Sequence, residues 1–384
     1  MKKTIIDLLT RGVVEVIDKK ALTKKLKSGK SLRVKLGVDP TLPTTHFGHM
    51  VPLKKLKSFQ DLGHKAVFLV GDFTAQIGDP TGRTKAREML THQQTKKMAK
   101  DYFNQVFKVL DKSKTEIHTQ SEWYEKIGMA EVIGLMAKTT KNQLMRHHTF
   151  AQREKDGLEL GFHEMLYPLL MAFDSVKLKA DVELGAIDQK FNFLLTRQVM
   201  ERFGLVPEDV LLTKYLPGID GSEKMSKSQH NFIGVAEKPI DQVRKLLGIQ
   251  DKDIDVFFEL LTQSGKAVGK SPFEAKKQLA LKVVSQFHSL SSAQKALKEF
   301  EQIRKQQGRF VKTKKIIVRG GGQELISLVI KAKGVSKREA RRLIVQGGVK
   351  VNGKKIRSSD MKVQVKNPTT LEVGKKLMVE VFTS

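Results

Sequence analysis

Two stretches of the chain hold residue types at spacings that could do chemistry. The first is HFGH, residues 46 to 49, where His46 and His49 flank a glycine directly after the proline-broken turn DPTLPTT. Such a pair could ligate a metal, exchange protons, grip a phosphate or fill a core. Metal fits poorly, because helical ligand pairs usually sit at i and i+4 and no third ligand stands at a fixed offset. Core histidines would be odd in a turn rich in Pro and Thr. Phosphate is the reading that remains. A helix N-terminus carries unpaired N–H groups and partial positive charge, imidazoles in its first turn add donors, and Gly48 lets a flat base or ribose approach the backbone.

The second stretch is KMSKS, residues 224 to 228, following Gly221. Lys224 and Lys227 would put two ammonium charges on one mobile loop, able to close over a developing pyrophosphate. Alone, the segment could be an ordinary solvated basic loop; with HxGH upstream in the same chain it is far more specific. Two other motifs fail. GDPTGRT, residues 78 to 84, imitates a P-loop but has only three residues between its glycines and Arg where Lys is needed. GxGxxG is absent after both early strands, which argues against a dinucleotide cofactor.

Elements must position these groups. SLRVKLGV, residues 31 to 38, reads as a buried strand; the helix that opens at HFGH carries Met50, Leu53, Leu56 and Phe59 at helical spacing; AVFLV, residues 66 to 70, is a second strand. Strand, helix, strand makes a βαβ unit, which predicts a parallel sheet with ligands at the carboxyl ends of its strands. His46 and His49 then stand in the first turn of a helix at such an end. Residues 85 to 180 read as mostly helical, ADVELGAIDQKFN returns to strand and loop, 235 to 307 is helical again, and TKKIIVRGGG, residues 313 to 322, reads as a hinge. The tail, 323 to 384, holds 14 Lys and Arg against 5 Asp and Glu, with a helix pair followed by an NG hairpin.

Composition bounds the answer. The absence of cysteine in 384 residues excludes disulfides, thiolate nucleophiles, zinc–thiolate sites and iron–sulfur clusters, and a reducing cytoplasm is the natural expectation. The N-terminus reads as neither signal peptide nor membrane span. A balance of 70 Lys and Arg against 41 Asp and Glu favours a polyanionic partner, although a basic proteome would give the same excess.

Taken in order, KLGVDPT, HFGH, FQDLGH, IGDPTGR, YPLLMAFDS, ADVELGAIDQKFN, GIDGSEKMSKS and the basic tail resemble the class I aminoacyl-tRNA synthetases, specifically the bacterial tyrosyl-tRNA synthetases, over nearly the whole chain. The resemblance implies an α/β fold: a Rossmann-like parallel-sheet catalytic domain over 1–217 with a helical dimerisation insert, the KMSKS loop over 218–234, an α-helical anticodon-side domain over 235–308, a linker over 309–322, and a small α+β S4-like RNA-binding domain over 323–384. It implies ATP with Mg²⁺ as substrate and no bound organic cofactor, L-tyrosine and tRNA(Tyr) as the other partners, a homodimer, no membrane and no dedicated metal site.

Residue by residue, it implies that Thr41, His46, His49, Lys224 and Lys227 stabilise the phosphates in the transition state. Asp39, Gly48, Asp188, Gln189 and Met225 would join the lysines in holding ATP, with Asp188 on the ribose. Asp79 and Tyr167 would bind the amino group of tyrosine, Asp174 would accept from its phenol hydroxyl, and Lys35, Met171 and Gln189 would complete the amino-acid pocket. Several positions depart from the family pattern. Met171 replaces a glutamine, Phe173 a tyrosine, Ala186 and Ile187 a glycine and a small hydroxyl residue, and Tyr215 falls near an expected proline. Lys35 stands where one branch has a second phenol-binding tyrosine. These departures crowd the amino-acid pocket, and they motivate two rivals: a paralogue activating another aromatic amino acid, and a tRNA-binding protein that has lost catalysis.

Overall fold

The computed structural model describes residues 2–40, 45–85, 88–226, 229–264, 267, 271–306, 312–318, 320–366, 368–374 and 377–383. It divides into two compact units, Met1–Leu297 and Lys298–Ser384.

The first unit is built on a six-stranded sheet whose strands are β1 (Val13–Ile17), β2 (Arg33–Val38), β3 (Lys65–Val70), β4 (Thr115–Thr119), β5 (Val182–Ala186) and β6 (Asp209–Thr213), in the order β1-β6-β5-β2-β3-β4. All neighbours are parallel except β1 with β6. The expected βαβ unit is there as β2, the helix Phe47–Asp61 and β3, with Val34, Leu36 and the whole run Ala66–Val70 buried. From β2 the chain winds outward through β3 and β4, then returns to place β5 on the other side of β2. The order reverses between β2 and β5, and a crevice opens at such a switch point. Their pairing covers only Val34 with Val182 and Lys35 with Glu183, so the two strands part toward their carboxyl ends.

The sequence reading of 85 to 180 as mostly helical missed β4, and β1 and β6 escaped it as well. TEIHT in β4 lies half-buried at the sheet edge, so it lacks the continuous apolar run that announced β2 and β3. Beyond the sheet, helices Pro239–Leu247, Ile254–Leu261 and Pro272–Phe287 continue the unit. Among the described residues no helix is long and apolar enough to cross a membrane.

In the second unit, β7 (Lys312–Val318), β9 (Val349–Val351), β10 (Lys354–Ile356), β12 (Thr369–Val373) and β13 (Leu377–Thr383) form one sheet, and β8 (Gly322–Glu324) pairs with β11 (Lys362–Gln364). TKKIIVRGGG is therefore no hinge over its first half, because β7 runs parallel to β13 from Lys312 to Val318. Ile316 and Val318 are buried while Ile317 is exposed, a period of two that the following glycines obscured. The NG hairpin is present: Asn352 and Gly353 take φ of 46° and 78°, as a two-residue type I′ turn requires. The expected helix pair is Leu325–Lys333 and Lys337–Val345.

Candidate active site

At the carboxyl ends of β2 and β5 lies a cavity of about 330 Å³. Lys35, Asp39, His46, Gly48, His49, Asp79, Tyr167, Met171, Asp174, Asp188, Gln189, Lys224 and Met225 all line it. Thr41 and Lys227 lie outside the described residues.

The HFGH segment caps its helix with its own imidazoles. His46 is the N-cap rather than a first-turn residue: its Nδ1 accepts from the Gly48 N–H at 3.1 Å, and His49 Nδ1 accepts from the His46 N–H at 3.2 Å. This reciprocal arrangement satisfies two of the orphan donors at the helix start. A neutral imidazole whose Nδ1 accepts carries its proton on Nε2, so the cap fixes both rings as Nε2–H donors. The ring centroids are 3.9 Å apart. Gly48 is needed here, because a Cβ on it would stand 2.9 Å from the His46 ring.

Backbone hydrogen bonds tie this helix start to the chain just after KMSKS. The Phe47 N–H donates to Ile233 O at 2.9 Å and the Val235 N–H to Thr45 O at 3.0 Å. The lysine loop is held from inside by Asn231, 2% exposed, whose side chain donates to Ser222 Oγ at 2.7 Å and Lys224 O at 3.2 Å and accepts from the Ser226 N–H at 2.7 Å. Met225 is buried, its N–H bonded to Leu216 O at 2.7 Å, and it anchors the loop against Gly48. Lys224 itself pairs with Asp188 and lies 5.0 Å over the Tyr215 ring. Tyr215, unexpected from the family pattern, thus gives the ammonium an aromatic face. Burial and the Asp188 charge raise its phenol above the ordinary tyrosine value.

The other end of the cavity is furnished by the helix Phe162–Leu178, which presents Tyr167, Met171 and Asp174 four and then three positions apart, on one face. The Tyr167 hydroxyl donates to Asp39 at 3.0 Å, and the second oxygen of Asp39 accepts from Thr74 at 2.8 Å. Gly71 makes room for that carboxylate: a Cβ there would lie 2.1 Å from it. Gln189 donates to Asp79 at 2.7 Å and accepts from Asn192 at 2.9 Å. Asp174 is buried and accepts from Gln120 at 2.6 Å, Trp123 at 3.2 Å and Tyr124 at 3.2 Å. Burial nevertheless pushes its carboxyl up to about 7, against the pull of Lys35 and the donors from Gln120 and Tyr124. Beneath it Lys35, 1% exposed, pairs with Glu183 at 2.7 Å and donates to Ser175 at 2.8 Å.

Met171 and Ile187 each pack against the cluster of Phe193, Val210 and Leu212. The two departures from the family pattern are therefore one apolar wall, in which an amide would lack partners. Sequence reading missed Gln120, Trp123 and Tyr124 around Asp174 and Thr74 on Asp39, none of which stands at a fixed offset from a motif, and it missed Asn231, three residues beyond KMSKS, whose bracing role shows only in the fold. It also set aside Arg83 together with the false P-loop, yet Arg83 lines the cavity. Among the described residues no group of three or more His, Cys, Asp or Glu could hold a metal.

Comparison with known proteins finds relatives over nearly the whole chain. Residues 27–312 match the family described as tRNA synthetases class I (W and Y), and residues 327–367 match the S4 domain. The chain is 40% identical to a tyrosine–tRNA ligase of Aquifex aeolicus, covering 98% of each chain, and 43% identical to one of Dehalococcoides mccartyi, covering 96% of each. In fold it is similar to a C-terminally truncated mitochondrial tyrosyl-tRNA synthetase of Aspergillus nidulans, with a TM-score of 0.65 at 21% identity over 78% of this chain and 94% of that one.

Proposed function

The chain belongs to the class I tRNA synthetases of the tryptophan and tyrosine group, and on that premise we propose how its cavity joins L-tyrosine, ATP and tRNA(Tyr). It is an aminoacyl-tRNA synthetase that ligates tyrosine to tRNA. The tyrosine carboxylate attacks the α-phosphate of ATP, pyrophosphate leaves, and the resulting tyrosyl-adenylate passes its acyl group to a ribose hydroxyl at the 3′ end of the tRNA, with AMP as the leaving group. The nucleophile belongs to the substrate, so the protein needs neither a general base nor a covalent intermediate and acts through position and charge.

His46 and His49 aim Nε2–H donors at the phosphates, and Lys224, Lys227 and Thr41 act with them as negative charge gathers on the departing pyrophosphate. Arg83 adds a guanidinium at the same end. Asp188 binds the ribose, which requires Lys224 to leave it; nucleotide binding thereby releases the lysine for the phosphates. Asp79, Tyr167 and Gln189 hold the ammonium and carboxylate of tyrosine, and Asp174 accepts from the phenol. ATP brings Mg²⁺ as part of the substrate. The cytoplasm, where tRNA is charged, is the proposed location.

The observation that carries the reading is the meeting of His46, His49 and Lys224 on one cavity, with the start of the HFGH helix tied by backbone hydrogen bonds to the segment that follows KMSKS. Pyrophosphate exchange across a panel of aromatic amino acids tests it. Tyrosine is expected to give the strongest signal; a silent tyrosine beside an active analogue overturns the substrate, and silence throughout overturns the enzyme.

The tail supplies tRNA contacts through Lys337, Arg338, Arg341 and Arg342 on one helix. Because β7 belongs to its sheet, a truncation must precede Lys312. A chain ending at Gln306 is expected to bind tRNA about tenfold or more weakly and with a shallower salt slope, with adenylate formation unchanged. Equal tRNA affinity rejects the role. A homodimer is proposed through the face bearing Met129, Ile133, Met136 and Phe162, all exposed, beside a trough of about 540 Å³.

A further inference from the structure

Four ionisable side chains are sealed under the amino-acid end of the cavity. Lys35, Asp174, Glu183 and Glu208 are each at most 2% exposed. Lys35 and Glu183 are register partners on β2 and β5, the last pair before those strands part, so their contact is set by the sheet itself. Glu208 precedes β6, and its side chain lies against Glu183 and Ser175. Burial and then the neighbouring Glu183 push its carboxyl well above the ordinary value, which favours its neutral form. Burial opposes the charge of Lys35, yet the carboxylates around it, Glu183 first, outweigh it and hold the ammonium above the ordinary lysine value.

With Lys35 matched by Glu183, the charge at issue is that of Asp174. The groups facing Asp174 are Gln120, Trp123 and Tyr124 as donors, Lys35 as the cation, and Glu183 as the opposing anion; Tyr167 shares its field from the same helix. Neutral donors alone do not keep a sealed carboxylate ionised, since burial penalises charge more than they compensate. Lys35 is the largest influence acting in favour of ionisation. Its side chain is no phenol ligand in waiting, because Glu183, Ser175 and the Met171 carbonyl take its hydrogens at 2.7, 2.8 and 3.4 Å.

We propose that Lys35 is a specificity-determining positioning residue: anchored by Glu183 and Ser175 on the cavity floor, its ammonium keeps Asp174 charged, and so makes recognition of the phenol hydroxyl possible. The inference rests on the reading that tyrosine seats its phenol on Asp174. An ionised Asp174 accepts a fourth hydrogen bond, whereas a protonated one has an acceptor fewer and presents a hydrogen that competes with the phenol's. Tyrosine is then chosen over phenylalanine through a charge that Lys35 maintains without touching either. Asp174 near neutrality makes this choice depend on pH.

The test is pyrophosphate exchange with the full chain from about pH 6 to about pH 9, with tyrosine and phenylalanine, on wild type, Lys35→Met, Lys35→Arg, Glu208→Gln and Asp174→Asn. In the wild type the tyrosine KM is expected to fall about tenfold between about pH 6 and about pH 8, following ionisation of one group. Lys35→Met should move that midpoint up by about one unit or more, cut the tyrosine-over-phenylalanine preference about tenfold at neutral pH, and leave the ATP KM at the wild-type value at each pH. Lys35→Arg, which keeps the charge, should restore the midpoint; a merely space-filling Lys35 predicts no such rescue. A Lys35→Met enzyme with wild-type midpoint and preference overturns the proposal.

Should Lys35→Met not fold, the isosteric Glu208→Gln carries the test. Its midpoint is expected to match wild type, and a drop of about one unit or more means Glu208 was ionised, which overturns the charge assignment. Asp174→Asn separates the two layers. Loss of preference in Asp174→Asn with Lys35→Met unaltered sinks only the role of Lys35; full preference retained in Asp174→Asn sinks the seating of the phenol and the proposal with it.

Discussion

The two ends of the cavity are built on different plans. At the phosphate end the groups are sequence-local and borrow the backbone: two imidazoles cap the helix they stand on, and a lysine rides a loop braced by one asparagine. At the amino-acid end the groups come from β2, β5, the start of β6, the segment around Gln120 and the helix Phe162–Leu178, and they are sealed from water. The first plan suits a ligand that arrives highly charged and hydrated, for which donors held by a helix cap and a movable cation suffice. The second suits a small apolar ring with one hydroxyl, where selectivity needs a dry site and every polar group in it must find a partner.

The largest expected difference between the ends concerns Lys224. Replacing it by Ala should slow adenylate formation by roughly 10²–10³-fold, the range for removing one group that stabilises developing charge, with the tyrosine KM nearly unchanged. Single-turnover kinetics separates the two quantities. If tyrosine binding falls as much as the rate, the ends are not independent. The Asp188 pair adds a sharper point: Asp188→Asn should free the lysine yet weaken ATP binding, so its KM for ATP rises while the tyrosine KM stays.

This contrast also explains what the sequence could reveal. HFGH and KMSKS were legible because each packs its chemistry into a few residues with a spacing that physics constrains. β2, β3 and the helix between them were legible because buried parallel strands read as apolar runs. The strands β1, β4 and β6 were not, and neither was the environment of Asp174, because Gln120, Trp123 and Tyr124 meet it only through tertiary folding, about fifty residues away in sequence. The convergence of the two motifs, inferred from their co-occurrence, has its cause in a feature no pattern displays: an isolated bridge between His46 and Gly234. Arg83 was lost for the opposite reason, since its segment resembled a motif it does not follow.

The next effect in size belongs to the amino-acid end alone. Asp174 titrates at about 7 in the folded protein, against 3.8 as the ordinary value, so between those values the folded state holds a proton that the unfolded state has lost. Stability from this group is therefore greatest at low pH, declines as pH rises toward 7, and is level above it. Asp174→Asn removes that slope. Its melting temperature relative to wild type should rise between about pH 5 and about pH 8 by the equivalent of about 2–3 kcal/mol, measured by calorimetry at both pH values. A constant difference would mean that Asp174 is ionised throughout, and that the sealed end stores no unfavourable charge. Lys224→Ala, at the phosphate end, is expected to leave that slope as it is in the wild type.

The smallest effect asks whether the departures at Met171 and Ile187 damage the amino-acid end or merely rebuild it. Because the two side chains pack on the same cluster of Phe193, Val210 and Leu212, a glutamine placed back at Met171 would set an amide against that apolar wall. Met171→Gln is expected to destabilise the protein by about 1–2 kcal/mol and to change the tyrosine KM less than about threefold, since Asp79, Tyr167 and Gln189 already surround the place of the ammonium. Adding Ile187→Thr supplies a hydroxyl for that amide and should return about 0.5–1 kcal/mol, a coupling that a double-mutant cycle reads directly. Additive losses would mean the wall is two unrelated changes. A tyrosine KM that falls about tenfold in Met171→Gln would mean that the ammonium lacks a partner in this chain, and that the sealed end, unlike the phosphate end, has drifted from what tyrosine requires.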